Sequence, residues 1–247
     1  MAARLTVVIP TLGRSPWLIP CLKAIQEDDP STEVVVIDQG DAATDLPEGL
    51  ADRVLRPGRN LGFAAATNLG IAESARDFVA TINDDAVIEP GWTARLVEAL
   101  DRDPGAGAVQ GVNLRMDSVS LADGCGITWN RWTQAVQIGH GKPAPLPSEP
   151  SREVFGVSAT AAIYRREALE AAGLFDPRLI SYYEDVDLAA RLHSSGWSAV
   201  VVPAARARHA GSATGETLSR ERWRLIYGNR WLVAARTFGR SFWLRVP

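Results

Sequence analysis

Two adjacent acidic residues close a short apolar run of the chain. Residues 78–82 predict a buried strand, and Asn83, Asp84 and Asp85 follow it directly. Neighbouring carboxylates repel each other and are costly to desolvate together, so they need a cation or open water. In an open α/β sheet, ligands bind at the carboxyl ends of the strands. The stretch therefore indicates either a divalent-metal site that holds a diphosphate or a solvated Asp-rich turn.

Another acidic cluster, at residues 182–187, offers proton chemistry. Its two tyrosines are followed by Glu184, Asp185 and Asp187 at the start of a predicted helix. The helix macrodipole favours acidic residues in a first turn, which explains one or two of these carboxylates but not all three. A carboxylate within hydrogen-bond reach of an acceptor hydroxyl would be a general base.

Two single residues have settings that fit the same site. Asp38 follows an apolar strand, where it could accept hydrogen bonds from a ribose or a base, or close an Asx-turn. His209 lies among arginines in a loop expected just past the last strand. That setting suits a diphosphate contact or metal ligation, although a lone histidine is more often structural.

The hydrophobic pattern predicts a scaffold that could bring these residues together. Four apolar runs alternate with helical spacing, which indicates βαβ units and a parallel sheet; they lie at residues 5–9, 33–37, 54–55 and 78–82. Polar clusters follow three of the four runs, and in a parallel sheet these ends share one edge. Residues 111–150 predict short antiparallel strands and a long loop that is mobile near its end. Residues 154–164 and 198–202 predict two later strands, and residues 166–172 and 184–194 two helices.

Composition limits the classes of function. The 247 residues carry 26 basic and 29 acidic side chains and a formal charge of −3, which argues against a nucleic-acid partner. The two cysteines have no metal-binding spacing, which favours a reducing compartment. The N-terminal residues lead straight into a strand without a signal-peptide pattern, and no apolar run approaches the roughly 20 residues of a membrane span. These features predict a soluble cytoplasmic protein.

The last 29 residues differ from the rest because they carry a net charge of +6. Aromatic and small residues recur there at steps of three or four, which predicts one face of a helix formed by Trp223, Tyr227, Trp231, Ala234, Phe238 and Phe242. Most of the arginines lie off that face. The helix either packs on the domain or binds an anionic membrane near a lipid-linked acceptor.

Taken in order, the motifs resemble glycosyltransferase family 2, and most closely its rhamnosyltransferase-type members. Each motif is weak alone, and the ordered set is specific. The resemblance runs from Val7 to about Ser212 and rests on Val8-Ile9-Pro10-Thr11, Val36-Ile37-Asp38, Asn60-Leu61-Gly62-Phe63, Asn68-Leu69-Gly70, Asn83-Asp84-Asp85, Arg165-Arg166-Glu167-Ala168-Leu169, Gly173-Leu174-Phe175-Asp176, Tyr183-Glu184-Asp185-Val186-Asp187-Leu188 with Arg191, and His209.

The resemblance implies an α/β fold of the GT-A type, a Rossmann-like sandwich. It would have a mostly parallel central sheet, helices on both faces and a small antiparallel region on the acceptor side. Residues 1–218 would form one catalytic domain, with a nucleotide-binding half at 1–110 and an acceptor-binding half at 111–218. Residues 219–247 would add a basic aromatic helix.

The resemblance also implies a role for each motif. Asp185 would be the catalytic base, and Glu184 would help to hold the acceptor. Asp85 and His209 would hold Mg²⁺ or Mn²⁺. The residues implied to line the nucleotide site are Pro10, Thr11, Arg14, Asp38, Asn60, Gly62, Asn68 and Asp84. Three departures from the family pattern are Asn83 for the first acid of a DXD motif, Gln39 after Asp38, and Ala159 where a glycine is common.

The implied function is an inverting, metal-dependent glycosyl transfer used in cell-wall or polysaccharide biosynthesis. The favoured donor would be a dTDP- or UDP-sugar, with rhamnose one candidate for the sugar, and the acceptor a hydroxyl of a glycan, a lipid-linked glycan or a small molecule. Two alternatives are a non-catalytic nucleotide-sugar-binding subunit and a sugar nucleotidyltransferase. The nucleotidyltransferase would need a fuller Gly-rich loop than residues 10–14 provide. The protein would be cytoplasmic, with peripheral contact to the inner membrane face if the C-terminal helix binds lipid.

Overall fold

The first strand, β1 (Leu5–Thr11), is buried along its whole length, so its sheet needs helices on both faces. The computed structural model describes residues 4–211 and 220–239. The remaining strands are β2 (Glu33–Asp38), β3 (Arg53–Leu55), β4 (Phe78–Ile82), β5 (Ala86–Ile88), β6 (Ala106–Arg115), β7 (Ser118–Gly124), β8 (Ile127–Trp129), β9 (Ala135–Gln137), β10 (Arg152–Val154), β11 (Ala161–Arg165) and β12 (Ser198–His209). The helices are α1 (Leu18–Asp28), α2 (Gly62–Ala72), α3 (Trp92–Arg102), α4 (Arg166–Ala172), α5 (Glu184–Ser194) and α6 (Arg220–Phe238), with a short 3-10 helix at Pro177–Leu179.

One large sheet forms the centre of the fold. Its strands run in the order β10-β12-β6-β11-β4-β1-β2-β3, with β5 paired to β12 and β7 to β6. The portion β4-β1-β2-β3 is parallel, as the alternation of strands and helices predicted. β11 then runs antiparallel between β4 and β6, and β8 and β9 form a separate antiparallel pair. The predicted α/β class, with antiparallel strands in the second half, is confirmed.

Hydrophobic cores cover both faces of this sheet. On one face α2, α4 and α5 pack against alternate residues of the strands, such as Val8 and Val35. On the other face α1 and α3 pack against the intervening residues, such as Val7 and Val34. The alternation follows from the period of two along a strand, and it fixes the register that places the polar strand ends on one edge.

The later strands differ from the sequence prediction in two ways. The strand predicted at 154–164 is broken into β10 and β11 by a loop at 155–160, because β10 pairs with β12 whereas β11 lies between β4 and β6. The strand predicted to end at residue 202 continues to His209. A register shift between Val201 and Arg206 takes Pro203 out of the ladder, and the strand then pairs again with β6 and β5.

The long loop expected to be mobile near residues 141–150 is tied to β7 in its first half. The amide of Ala144 donates to the Ser120 carbonyl at 2.9 Å, and Pro143 bridges to Leu121. This segment therefore forms part of the wall beside β7.

Candidate active site

A cavity of about 590 Å³ opens beside the carboxyl end of β4. Asn83 and Asp85 of the β4–β5 turn line it, together with Glu184 and Asp185 at the start of α5 and His209 at the end of β12. These residues are far apart in the sequence, and the sheet edge brings them into one wall. The rest of the lining includes Phe63, Ile127, Val136, Ala159, Tyr182, Tyr183 and Ile226.

His209 is held between two carboxylates. Its Nδ1 lies 2.8 Å from Asp123 Oδ2, and its Nε2 lies 3.2 Å from Asp85 Oδ1. Burial alone would lower the pKa of the imidazole, but the two carboxylates more than offset burial and raise the pKa to about 9. His209 is thus the last residue of a paired strand, and the prediction that it sits in a loop is wrong. The extended pairing of β12 with β6 fixes its direction.

Sequence reasoning missed Asp123. It lies in β7, and its one sequence signal is a charged residue within the otherwise small, apolar residues 121–125. β7 pairs antiparallel with β6, and β6 pairs with β12, so two strand pairings separate Asp123 from His209. β6 and β7 form a local hairpin, but the pairing of β6 with β12 joins distant parts of the chain and leaves no local pattern.

The pair of Asp85 and His209 fits a divalent cation that also binds a diphosphate. The 3.2 Å between their facing atoms is close to the edge, about 3.0 Å, of an octahedron with bonds of about 2.1 Å. Asp123 takes the position of the carboxylate that commonly orients a metal-bound histidine through its other ring nitrogen. No group of three or more ligand side chains occurs among the described residues. Two protein ligands leave places for phosphate and water oxygens, which is how Mg²⁺ is usually held.

Three of the predicted nucleotide-binding residues meet at neighbouring strand ends. Thr11 pairs in register with Asp38 across β1 and β2, and its hydroxyl donates to Asp84 Oδ2 at 2.5 Å. Burial and the neighbouring charge of Asp85 raise the pKa of Asp84, although the Thr11 hydrogen bond works in the other direction. The strand ends that the sequence placed on one edge therefore do converge.

Asp38 is buried and already holds four hydrogen bonds. Its carboxylate accepts from the amide and hydroxyl of Thr44, from the Gly40 amide, and from Arg56 Nε at 3.3 Å. Burial alone would raise the pKa of Asp38, but these donors offset it and hold the pKa below its ordinary value. The Asx-turn considered from the sequence is present, through the Gly40 amide.

Two other predicted nucleotide-side residues, Pro10 and Arg14, have contrasting positions. Pro10 is buried inside β1. Arg14 pairs with Asp41 at 2.6 Å, but both side chains are largely exposed. An exposed pair of this kind contributes little to stability, so Arg14 is able to reorient towards an anion.

The remaining predicted nucleotide-side residues are engaged by the protein itself. Asn60 Oδ1 accepts from the Gly62 amide at the start of α2, and both ends of the Asn68 amide bind the backbone of Phe175. Gly62 has φ +78°, and a Cβ on it would lie 2.7 Å from the Ile180 carbonyl oxygen. The close backbone approach expected at Gly62 is therefore made by Ile180.

Glu184 and Asp185 begin α5 beside the cavity. Burial and the charge of Asp185 raise the pKa of Glu184 to about 8. Burial raises the pKa of Asp185 to about 6, with amide hydrogen bonds working against the shift. Val186 N–H donates to Asp185 Oδ1 at 2.8 Å, and Ala159 N–H lies 3.4 Å from Oδ2. Glu184 Oε2 is buried and finds no hydrogen-bond partner among the described residues.

The loop that leads into α5 is strained. Ile180, Tyr182 and Tyr183 all have positive φ angles, of 61°, 69° and 68°. Each residue other than glycine in this conformation costs about 1–2 kcal/mol. Such strain persists where surrounding contacts impose it, and it is typical of functional sites.

The C-terminal helix packs on the domain mainly through a face beside the aromatic stripe, and only the last described residues of the stripe join the contact. Trp223, Tyr227 and Trp231 of the aromatic stripe are 40–45% exposed. Ala234 is buried, Phe238 contacts Trp129, and Phe242 lies outside the described residues. The face towards the domain carries Arg222, Ile226, Asn229, Val233 and Arg236. The loop at residues 179–183, which this face contacts, has carbonyl oxygens that need donors, so polar residues of α6 face the loop.

A larger groove, of about 750 Å³, lies between α4, α5 and α6. Its charged residues pair with one another: Asp176 with Arg178 and Arg236, and Asp187 with Arg191 and Arg236. The carboxylates beside the smaller cavity are thus the ones available for chemistry.

Solved structures share the fold. GalNAc-T7 with UDP, GalNAc and Mn²⁺ superposes with a TM-score of 0.74 at 16% identity, over 96% of this chain and 48% of that one. Mannosyltransferase PcManGT from Pyrobaculum calidifontis, in complex with GDP-Man and Mn²⁺, gives a TM-score of 0.66 at 22% identity, over 94% and 64%. The fold is therefore that of the GT-A glycosyltransferases.

The chain belongs to glycosyltransferase family 2, because the model of Glycosyl transferase family 2 matches residues 6–173. N-acetylglucosaminyl-diphospho-decaprenol L-rhamnosyltransferase of Mycobacterium tuberculosis is 32% identical over 184 residues, which are 64% of this chain and 58% of the relative. Pre-mycofactocin glycosyltransferase of the same species is 29% identical over 196 residues, 77% and 39%. The chain spans less than two thirds of the length of these relatives. The resemblance to rhamnosyltransferase-type members of the family, expected from the motifs, is confirmed.

Proposed function

We propose that the protein transfers a sugar from a nucleotide-diphosphate sugar to an acceptor hydroxyl, with a divalent metal and with inversion at the anomeric carbon. One observation carries the proposal. A single cavity contains both a carboxylate–imidazole pair suited to a cation, Asp85 and His209, and a separate carboxylate suited to proton transfer, Asp185. Family membership and the GT-A fold support it.

Asp185 is the base in this proposal. Its raised pKa strengthens its hold on a proton, and the Val186 amide fixes one of its oxygens. The acceptor oxygen bonds to the anomeric carbon while its proton passes to Asp185. The bond from that carbon to the diphosphate oxygen breaks on the opposite face, so the configuration inverts. Glu184, beside it, holds the acceptor.

The nucleotide diphosphate leaves with developing negative charge. Asp85 and His209 would hold Mg²⁺ or Mn²⁺, which when bound supplies charge neutralisation at the diphosphate. The Mn²⁺ in the two solved neighbours supports this assignment. Thr11, Asp38 and Asp84 line the nucleotide edge, and Arg14 is a mobile positive charge beside it. Pro10, Asn60, Gly62 and Asn68 shape the same side from within the fold.

The proposed donor is dTDP-rhamnose or a UDP-sugar, and the proposed acceptor is a lipid-linked glycan. The name of the decaprenol-linked rhamnosyltransferase relative supports rhamnose as the sugar and a lipid-linked glycan as the acceptor. We assign nucleotide binding to residues 1–110 and acceptor binding to residues 111–218 of one catalytic domain. Asp85 in the first half and Asp185 in the second support this division, although the proposed metal ligand His209 comes from the second half.

Peripheral contact with an anionic membrane is the second part of this proposal. Trp223 and Tyr227 stack on each other, with ring centroids 4.9 Å apart, and they are exposed beside the exposed Arg224. Exposed aromatic and basic residues on one helix favour a lipid interface. Among the described residues, no helix is both long and apolar enough to cross a bilayer.

Sedimentation with vesicles rich in anionic lipid should fall sharply in Trp223→Ala/Tyr227→Ala. Unchanged sedimentation of that folded variant would refute the contact.

A thermal-shift panel tests the central proposal. UDP-, dTDP- and GDP-sugars are added with and without Mn²⁺, and one class of donor should stabilise the protein in a Mn²⁺-dependent way. Asp85→Ala should lose the Mn²⁺ dependence. Stabilisation that is equally large without metal would contradict the metal role. A non-catalytic subunit would pass this panel but show no sugar transfer.

A further inference from the structure

Asn229 makes an unusual set of contacts for a helix residue. It lies in the middle of α6, is 7% exposed, and points its amide nitrogen at the loop before α5. The nitrogen lies 2.7 Å from the Leu179 carbonyl oxygen, 3.0 Å from that of Ser181 and 2.9 Å from that of Tyr182. One side chain thus gathers three main-chain oxygens of a single short loop.

The loop that Asn229 holds is the strained segment that leads into the proposed catalytic residues. Left-handed residues lie within it and at its end, at Ile180, Tyr182 and Tyr183, and Glu184 follows at once. The first helical residue has no side-chain cap before it. Because the backbone carbonyls there point away from any regular ladder, external donors are needed to keep the loop in this conformation.

Contacts on both sides of Asn229 act on the same region. Arg222 Nε donates to the Tyr182 hydroxyl at 2.6 Å, and Ile226 lines the cavity. Val233 packs with Leu179 and Val186. Arg236 lies 3.3 Å from Asp187 Oδ1, in the first turn of α5.

The loop is also clamped from the opposite side. The Ile180 carbonyl accepts from Ala64 N–H at 3.0 Å, and the Ser181 hydroxyl accepts from Phe63 N–H. The loop therefore lies between the start of α2 on the nucleotide side and α6. Its conformation depends on both elements at once.

We propose that Asn229 is a positioning residue that fixes residues 179–183 and, through them, the direction of Glu184 and Asp185 in the cavity. Asn229 contacts neither donor nor acceptor and acts through the loop. The inference rests on the proposed function for its catalytic meaning, but its structural part can be tested separately.

Hydrogen exchange of the whole protein tests the structural part. Asn229→Asp keeps the volume and removes both N–H donors, and Asn229→Ala removes the side chain. In both variants we expect at least about tenfold faster amide exchange in peptides covering residues 179–187, with β1 and β4 unchanged. Leu232→Ala, on the exposed face of the same helix, is the matched control and should exchange like the parent. Exchange of the loop within about twofold of the parent in either folded variant overturns the proposal.

A kinetic split tests the catalytic part. Binding of UDP and dTDP with Mn²⁺ should stay within about twofold of the parent in the Asn229 variants. Release of the nucleoside diphosphate from dTDP-rhamnose or a UDP-sugar, with water as acceptor, should fall at least about tenfold in kcat. Loss of nucleotide binding equal to the loss of kcat would show a general structural role and overturn the positioning role. If the parent itself bound none of UDP, dTDP and GDP, the proposed function would fail, and loop exchange would still decide the role of Asn229.

Discussion

The two sides of the cavity are built in opposite ways. On the nucleotide side, Thr11 and Asp38 stand at the ends of two parallel strands, and their side chains hydrogen-bond to Asp84 and Thr44. On the acceptor side, the Glu184 carboxylate is buried with one oxygen unpartnered within the described part of the chain. The loop before it is strained, and one of the two elements that hold it, α6, comes from the far end of the sequence.

This difference separates binding from chemistry. A site that binds a nucleotide can be built from polar groups whose hydrogen bonds are all made, and such groups stabilise the fold. A base needs a carboxylate with a raised pKa, which requires burial without full compensation and lowers stability. Strain and uncompensated charge are thus expected at residues 180–185, where the proton is to be moved, and not at the ends of β1 and β2.

The largest expected effect follows from removing the proposed base. Asp185→Asn keeps the size of the side chain but cannot take a proton, so kcat for sugar transfer should fall by about 10²–10⁴-fold. Donor affinity, measured by titration with the nucleotide sugar and Mn²⁺, should stay close to that of the parent. Transfer at the parental rate by the Asn variant would show that another group is the base.

The next effect is on stability, and here the substitution is expected to improve the property that is measured. The pKa of Glu184 is raised in the fold, so the folded protein holds this proton more tightly than the unfolded chain. The stabilisation that this proton provides is therefore fully present below about pH 4.5, and it is lost as pH rises towards about 8. Glu184→Gln cannot ionise and escapes this decline. Its free energy of unfolding relative to the parent should increase by on the order of 3 kcal/mol between about pH 5 and about pH 8.

Urea unfolding of the parent and Glu184→Gln at both pH values measures that gain. Glu48→Gln, a change at an exposed carboxylate, serves as the control and should show no comparable pH dependence. A gain at the higher pH that is no larger than at the lower one would show that Glu184 is not destabilising when ionised.

The same difference explains what could be predicted from the sequence. The ends of β1, β2 and β4 were predictable because polar residues follow each apolar run. Parallel pairing then places these ends on one edge of the sheet. The left-handed loop was not, because Ile180, Tyr182 and Tyr183 are poor residues for positive φ and reveal nothing locally. Their conformation is imposed by donors from elsewhere in the chain.

The prediction for the end of β12 was wrong, and the packing face of α6 was left open by the sequence, for related reasons. Pro203 marks a strand end by local rules, but a register shift lets β12 continue to His209. The aromatic stripe of α6 is the strongest periodic signal in that segment. The face that packs is instead the one from which Asn229 donates to the carbonyl oxygens of Leu179 and Tyr182. Both outcomes depend on the partner surface and not on the segment alone.

A smaller effect should come from Asp123, which links the two halves of the chain through His209. Asp123→Asn removes a negative charge from His209 Nδ1 and weakens its orientation towards Asp85. The affinity for Mn²⁺ in the presence of UDP should fall by about 10–100-fold, as for other residues that orient metal ligands. Mn²⁺ titration by calorimetry measures it, with Asp117→Asn on an exposed pair as the control. An unchanged affinity would mean that Asp123 serves only the apo protein.

The smallest effect should come from Arg14, and it sharpens the contrast between satisfied and free groups. The pair with Asp41 is exposed, so Arg14→Ala should leave the midpoint of thermal unfolding almost unchanged. If Arg14 turns to the diphosphate, affinity for UDP or dTDP with Mn²⁺ should fall by up to about fivefold, the worth of one exposed ion pair. Asp41→Ala separates the two roles, because freeing Arg14 should leave affinity equal or slightly higher. A loss of affinity in Asp41→Ala as large as in Arg14→Ala would instead assign the effect to the shape of the loop.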